Sequence, residues 1–154
     1  MNSQNQVELS TEAWKTLLLD AYGRQGIEAC GALLGKIDDE GNWLIEEAYP
    51  LRNTYGSAVY FEFAPEDLLT LDLEQHGRMI GVYHSHPSGP AIASSTDRQN
   101  MQRVNVEQQI PWVWLIVSGP FHSGPESSIT ANGLIAYYHA QETGLQQIAI
   151  RQGN

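Results

Sequence analysis

The residues most able to do chemistry lie in two short stretches, His84-Ser85-His86-Pro87 and Ser94-Ser95-Thr96-Asp97. His84 and His86 follow the apolar run Ile80-Gly81-Val82-Tyr83, which predicts a buried strand. Alternate side chains of a strand share a face, so the two imidazoles can reach one ion. The apolar lead-in ties that strand to the core and makes it a rigid platform. A Pro-, Gly- and Ser-rich loop then returns the chain to a helix start with Asp97 in its first turn. Two imidazoles, one carboxylate and an open position are the make-up of a catalytic zinc site rather than a closed structural one. Ser94 precedes Asp97 by one helical turn and shares its side, where the hydroxyl can donate to a developing oxyanion. Glu28 opens the apolar run Ala29 to Leu34, where a charge is expensive, and is the candidate proton shuttle.

Each residue alone has an ordinary explanation. An isolated His-x-His is most often structural or solvent-facing. Asp97 suits a helix N-terminus, where the macrodipole favours an acid. Ser94 or Ser95 suits an N-cap, and Glu28 could be a surface acid where a strand begins. The combination of types and spacing is what points to a metal. Cys30, the single cysteine, lies in an apolar run and is expected to be a small buried side chain. It can form no internal disulfide and no zinc finger, which fits a reducing cytoplasm.

Several elements must position these residues. Ser10-Thr11-Glu12 precedes Trp14, Leu17, Leu18 and Ala21, the capped stripe of a first helix ending near Gly23 to Gly26. Ala29 to Gly35 and Trp43 to Tyr49 flank the turn residues 38–42 and predict a hairpin. Val59 to Phe63 reads as a strand from its β-branched and aromatic content. A helix from Pro65 to about His76 follows, then the strand from Met79, a polar helix from Thr96 to about Gln108, and the strand Trp112 to Ser118. Two weaker strand-like runs lie around Gly133–His139 and Leu145–Ile150. The expected fold class is α/β (α+β), one mixed sheet flanked by helices, in a single domain over residues 1–154.

The chain has 8 basic and 18 acidic side chains and a net charge of −10, which opposes binding to nucleic acid. Its apolar runs are too short for a membrane span, and the polar start Met1 to Gln6 lacks a secretory pattern, so a cytoplasmic protein is expected. Trp112 and Trp114 alternate with Val113 and Leu115 as core and sheet surface. His76, His122 and His139 have no partner at ligand spacing, although His122 lies in a loop able to lean over a substrate.

His84-x-His86, seven residues, Ser94, two residues, Asp97 resembles the H-x-H-x7-S-x2-D signature of the JAMM (MPN-plus) zinc metalloproteases. Glu28 with Ala29-Cys30-Gly31-Ala32-Leu33-Leu34-Gly35 resembles that family's N-terminal E-x-C-G-x-L-L-G segment, and the likeness extends over about residues 7–120. It implies a JAMM/MPN, cytidine-deaminase-like fold, with one zinc held by His84, His86 and Asp97 and water in the fourth place. Glu28 would be the general base and Ser94 the oxyanion donor. Short prokaryotic members resemble processing or deconjugating enzymes for ubiquitin-like β-grasp proteins or sulfur carriers. Ala93 stands where proline is often found. The stretches around the zinc loop also lack room for the insertions with which eukaryotic deubiquitinases grip ubiquitin, which argues against polyubiquitin chains. An extended substrate tail would lie beside a sheet edge, for which Tyr55 to Phe63 is a candidate.

Two other readings compete. A non-catalytic MPN scaffold would have lost the ligands that are all present here. An iron-dependent oxygenase would use His-x-Asp/Glu with a distant His, an order this chain does not have. The bond cut (peptide or isopeptide) and the oligomeric state are left open.

Overall fold

Short alternating apolar segments build a single sheet that closes on itself. The computed structural model describes residues 5–120 and 133–153. Its elements in chain order are β1 (Gln6–Leu9), α1 (Thr11–Gly23), β2 (Cys30–Ile37), β3 (Trp43–Leu51), α2 (Pro65–Glu74), β4 (Met79–His86), α3 (Ser95–Gln102), a π-helical turn Arg103–Glu107, β5 (Val113–Ser118), β6 (Leu134–Ala140) and β7 (Gly144–Gln152). The strand order is β1-β3-β2-β4-β5-β6-β7, with β1 pairing in parallel to both β3 and β7. Closure leaves no free sheet edge along these seven strands. Among the described residues no helix is long and apolar enough to cross a membrane.

Each face of the sheet has its own core. The larger cluster joins Ala13, Trp14, Leu17, Leu18 and Ala21 of α1 to inward residues such as Val7, Leu33, Ile45, Tyr83 and Leu115. Ser10 starts α1 by accepting the Ala13 N–H at 3.0 Å. On the opposite face Val82, Trp114 and Ile116 pack with Met101 and Val104, and Ala32 and Leu34 pack with Leu71 of α2. His84 and His86, even-numbered like Val82, emerge on this second face at the end of β4.

A polar brace ties α1 to the strands that carry the site. Arg24 clasps Asp20 at 2.7 Å through both Nε and Nη2, and donates to the carbonyls of Leu51 at 2.9 Å and Cys30 at 3.0 Å. The Tyr83 hydroxyl donates to Asp20 at 2.7 Å. Cys30 is fully buried as a free thiol, and burial pushes its pKa up to about 12. It is a packing residue, as its apolar setting implies.

Three local expectations are corrected. Val59 to Phe63 is not a strand but part of the connection from Arg52 to Ala64. Gly56 turns this segment with a φ of +58°, and its inward backbone groups bond to the side chain of Asn53 rather than to a neighbouring strand. Tyr55 to Phe63 is therefore no sheet edge. The polar helix stops being α-helical at Gln102 and finishes as the π turn, because Asn105 is drawn inward. Its carboxamide serves the carbonyls of Ile110 and Trp112 at 2.9 Å, the Trp114 indole at 3.1 Å and the His139 N–H at 3.0 Å. The strand β1, which the expected elements do not include although Val7 and Leu9 alternate with Gln6 and Glu8, completes the closure.

Gly31 pairs with Tyr83 across β2 and β4, and a Cβ there would overlap the Tyr83 ring and the Tyr49 carbonyl. Gly31→Ala is expected to cost about 1–3 kcal/mol, as overpacking does, and to lower the thermal midpoint. An unchanged midpoint would show that the ring has room to move.

Candidate functional site

The register of β2 against β4 assembles the site. Cys30 pairs with His84 in an antiparallel ladder. The Ser85 N–H donates to the Ala29 carbonyl and the Ala29 N–H to the Ser85 hydroxyl, both at 2.9 Å, which extends the pairing by one step. Glu28 then falls opposite His86, on the face that holds both imidazoles. Glu28, His84 and His86 offer ligand atoms that all lie within 4.8 Å of one another.

Asp97 enters from the other side, carried by α3. His86 Nε2 lies 3.1 Å from Asp97 Oδ2, and His84 Nε2 lies 3.3 Å from Asp97 Oδ1. A reciprocal cap holds this aspartate. The Ser94 N–H donates to Asp97 Oδ2 and the Asp97 N–H to Ser94 Oγ, both at 3.0 Å. The helix-cap and site readings of Ser94 and Asp97 are thus compatible. Ser94 Oγ accepts the cap hydrogen bond, which leaves its own O–H as a donor. The loop between His86 and Ser94 is held at two further points. The Pro90 carbonyl lies 2.7 Å from His86 Nδ1. The Tyr137 hydroxyl on β6 donates to the Ala91 carbonyl at 3.0 Å and accepts from the Ala93 N–H at 3.2 Å.

Burial makes this cluster unusual. Glu28, His84 and Asp97 are each at most 7% exposed. Glu28 Oε1 and both ring nitrogens of His84 are buried without a hydrogen-bond partner among the described residues. His84 and Asp97 are close enough to attract but too poorly aligned to bond. Buried polar atoms are almost always paired, so these orphans ask for a bound group. A tetrahedral zinc with ligands at ~2.0–2.1 Å sets its donors about 3.3–3.4 Å apart, close to the 3.1 and 3.3 Å from the imidazole nitrogens to Asp97. Imidazole and carboxylate are also the donors zinc accepts. The residues fit a zinc ion.

The charges are set by the same burial. Desolvation pushes the Glu28 carboxyl up to about 8, with the charge of His86 pulling down and that of Asp97 pushing up. Burial also lowers His84. For His86 burial opposes the charge, but Asp97, the Pro90 carbonyl and Glu28 outweigh it and raise the pKa. Burial opposes ionisation of Asp97 as well, yet the two imidazoles and the Ser94 N–H hold it far below the usual carboxylate range.

Glu28, His86 and Ser94 line a cleft of about 250 Å³, together with Ala58, Val59 and Pro87. A larger groove of about 750 Å³ runs beside it, walled by Tyr60, Phe61, Arg103, Trp112 and Trp114. Phe61 joins the two regions by stacking on His84, with ring centroids 4.6 Å apart. All five residues singled out from the sequence thus meet at one place. Cys30 and His139 lie elsewhere, and His122 falls outside the described residues. Ser85, Phe61 and Asn53 support the site without having been singled out. Asn53 carried a faint signal, an asparagine just past a strand and before a glycine turn.

In metal-free protein the raised pKa of Glu28 has a definite sign. The folded state keeps a proton that the unfolded chain gives up above 4.5, so stability falls as pH rises from about 4.5 to about 8. Glu28→Gln removes that loss. In chelator-treated protein the substitution should raise the thermal midpoint at pH 8 and have much less effect near pH 4.5. A variant that is no more stable than wild type at pH 8 would contradict the burial of a strained carboxyl.

The chain also resembles known proteins. Residues 10–131 match the family described as prokaryotic homologs of the JAB domain. A desampylase of Pyrococcus furiosus is 33% identical over 104 residues, which is 66% of this chain and 66% of that protein. A solution structure of a protein from Desulfitobacterium hafniense superposes with a TM-score of 0.73 at 24% identity, covering 97% of this chain and 94% of that one. A structure reported as a JAMM metalloprotease-like zinc site in the proteasome and signalosome superposes with a TM-score of 0.55 at 19% identity, covering 97% of this chain and all of that one. With most of its length inside the matched region, this chain belongs to the family of prokaryotic homologs of the JAB domain.

Proposed function

We propose that the chain is a single-domain zinc hydrolase of the JAMM type. It cleaves a peptide or isopeptide bond after the C-terminal tail of a ubiquitin-like β-grasp protein or sulfur carrier. The observation that carries this is the convergence of two imidazoles and two carboxylates on one buried point with orphaned donor atoms. His84, His86 and Asp97 are the zinc ligands. When bound there, zinc lowers the pKa of a water to about 7 and polarises the scissile carbonyl.

The protein's own groups do the rest. Glu28, opposite His86, takes the proton from the attacking water and passes it to the leaving amine. Ser94 turns its O–H towards the carbonyl oxygen as charge develops there. Asp97 remains ionised throughout, which balances the site's positive charge. Cys30, two residues beyond Glu28, takes no part. The aromatic-walled groove suits an extended tail, and the narrow cleft beside it suits glycines at the bond to be cut. The P. furiosus relative is named a desampylase, which supports a small-modifier substrate. A free Cys30 suits action in the reducing cytoplasm.

Protein purified without added metal is expected to carry about one zinc per chain, and His84→Ala to carry none. Wild type that stays zinc-free after reconstitution would refute the ligand assignment. Glu28→Gln should keep its zinc and lose hydrolysis by ~10² or more. The substrate reading is tested with β-grasp proteins carrying a C-terminal extension or a lysine-linked peptide, with products identified by mass spectrometry. A single cut after the modifier's tail is expected. Zinc-loaded enzyme that cuts no such protein would overturn the substrate class.

A further inference from the structure

Glu28 lies just outside β2, so the ladder that fixes Cys30 against His84 does not itself fix Glu28. Both of its backbone polar groups are instead taken by the connection between β3 and α2. The Glu28 N–H donates to the Ser57 carbonyl at 2.7 Å, and the Glu28 carbonyl accepts from Asn53 Nδ2 at 3.0 Å. Asn53 is 7% exposed, and its carboxamide is fully used. Nδ2 also donates to the Tyr60 carbonyl at 2.9 Å and reaches the Ser57 carbonyl at 3.5 Å. Oδ1 accepts from the N–H groups of Tyr55 at 3.0 Å and Glu62 at 3.3 Å. One side chain thus folds a whole segment around itself and attaches that segment to the residue bearing the site's proton carrier.

The same segment supplies walls to both cavities. Ala58 and Val59 face the cleft, while Tyr60 and Phe61 wall the groove. Phe61, which follows Tyr60, stacks on His84. A shift at Asn53 therefore moves the Glu28 backbone and the groove wall together. Loss of Asn53 would strand the buried Glu28 carbonyl and leave the part-buried Tyr60 carbonyl and the Tyr55 and Glu62 N–H groups to find other partners.

We propose that Asn53 is a positioning residue: its carboxamide aims Glu28 at the imidazole pair and locks that aim to the wall of the substrate groove. The inference rests on the hydrolase reading and adds a residue outside its signature. Asn53 touches neither a metal ligand's donor atoms nor the reacting bond, and acts only through Glu28 and the segment it gathers. Misplacement of a reacting group by about 1 Å can cost on the order of a hundredfold in rate, so a backbone bond at this distance has leverage.

The test compares Asn53→Ser in two backgrounds, wild type and Glu28→Gln, with a cleavable modifier fusion. In the wild-type background kcat should fall about tenfold or more, with KM rising by a smaller factor because the groove wall shifts too, and zinc content within about twofold of wild type. In the Glu28→Gln background the same substitution should lower the residual rate less than about twofold. An equal loss in both backgrounds, a change confined to KM, or loss of zinc would overturn the proposal. Should the serine variant not fold, Asn53→Gln, which keeps both amide groups uncharged but displaces them by one methylene, serves in the same comparison. Amide exchange of metal-free protein gives a readout independent of turnover. The Glu28 amide should exchange at least tenfold faster in the variant while those of Val82 and Tyr83 stay protected, and an unchanged Glu28 amide would also overturn the proposal. If wild type cleaves no modifier fusion but the exchange result holds, the substrate reading fails and the positioning of Glu28 stands.

Discussion

The pairing of Cys30 with His84 is the constraint on which the rest depends. Because side chains alternate along each strand, this one register decides that Glu28 and both histidines share a face. A slip by a single residue would send Glu28 to the α1 side of the sheet, among Leu33 and Tyr83. Much of the surrounding structure defends that register. Gly31 makes room for the Tyr83 ring, Tyr83 reaches Asp20, and Arg24 closes the circuit onto the carbonyls of Cys30 and Leu51. Ser85 adds the last step, beyond which Asn53 and Ser57 take over.

Energetically the site is a concentration of unfavourable burial. A carboxyl, two imidazoles and a second carboxylate are withdrawn from water at the end of an apolar sheet. Left to themselves they resolve the cost by shifting protons: Glu28 holds one, His84 resists one, and Asp97 stays charged between the rings. A divalent cation relieves part of it, since it takes one orphaned nitrogen of His84 and balances the Asp97 carboxylate.

Much of this was readable in the chain. The His84, His86, Ser94 and Asp97 spacing reports local structure, a strand end and a helix start, and both form where periodicity and capping residues place them. Glu28 was legible because an acid beside a run of buried small residues demands an explanation. What escaped was non-local. The strand Gln6–Leu9 has only two inward side chains, and its identity comes from partners at both ends of the chain, Trp43 and Ala149 among them. Val59 to Phe63 has the composition of a strand, but Asn53 satisfies its backbone first. Asn105 in the same way ends an α-helix that its polar neighbours would have continued. In both places a single buried carboxamide overrode the propensity of several residues.

The clasp of Tyr137 on the segment between the imidazole pair and the capped helix bears on the meaning of the motif's interval. Both ends of that segment are pinned, one by the ladder of β4 and the other by the Ser94–Asp97 cap, and its middle is fastened to β6. The seven intervening residues therefore act as a strut of set span. Their identities can vary wherever the side chains face outward, as at exposed Ile92, but adding or removing one would pull the aspartate off its imidazoles or tear the clasp open. The interval in the motif is thus a measurement of the distance between two fixed points of the fold, written in units of peptide.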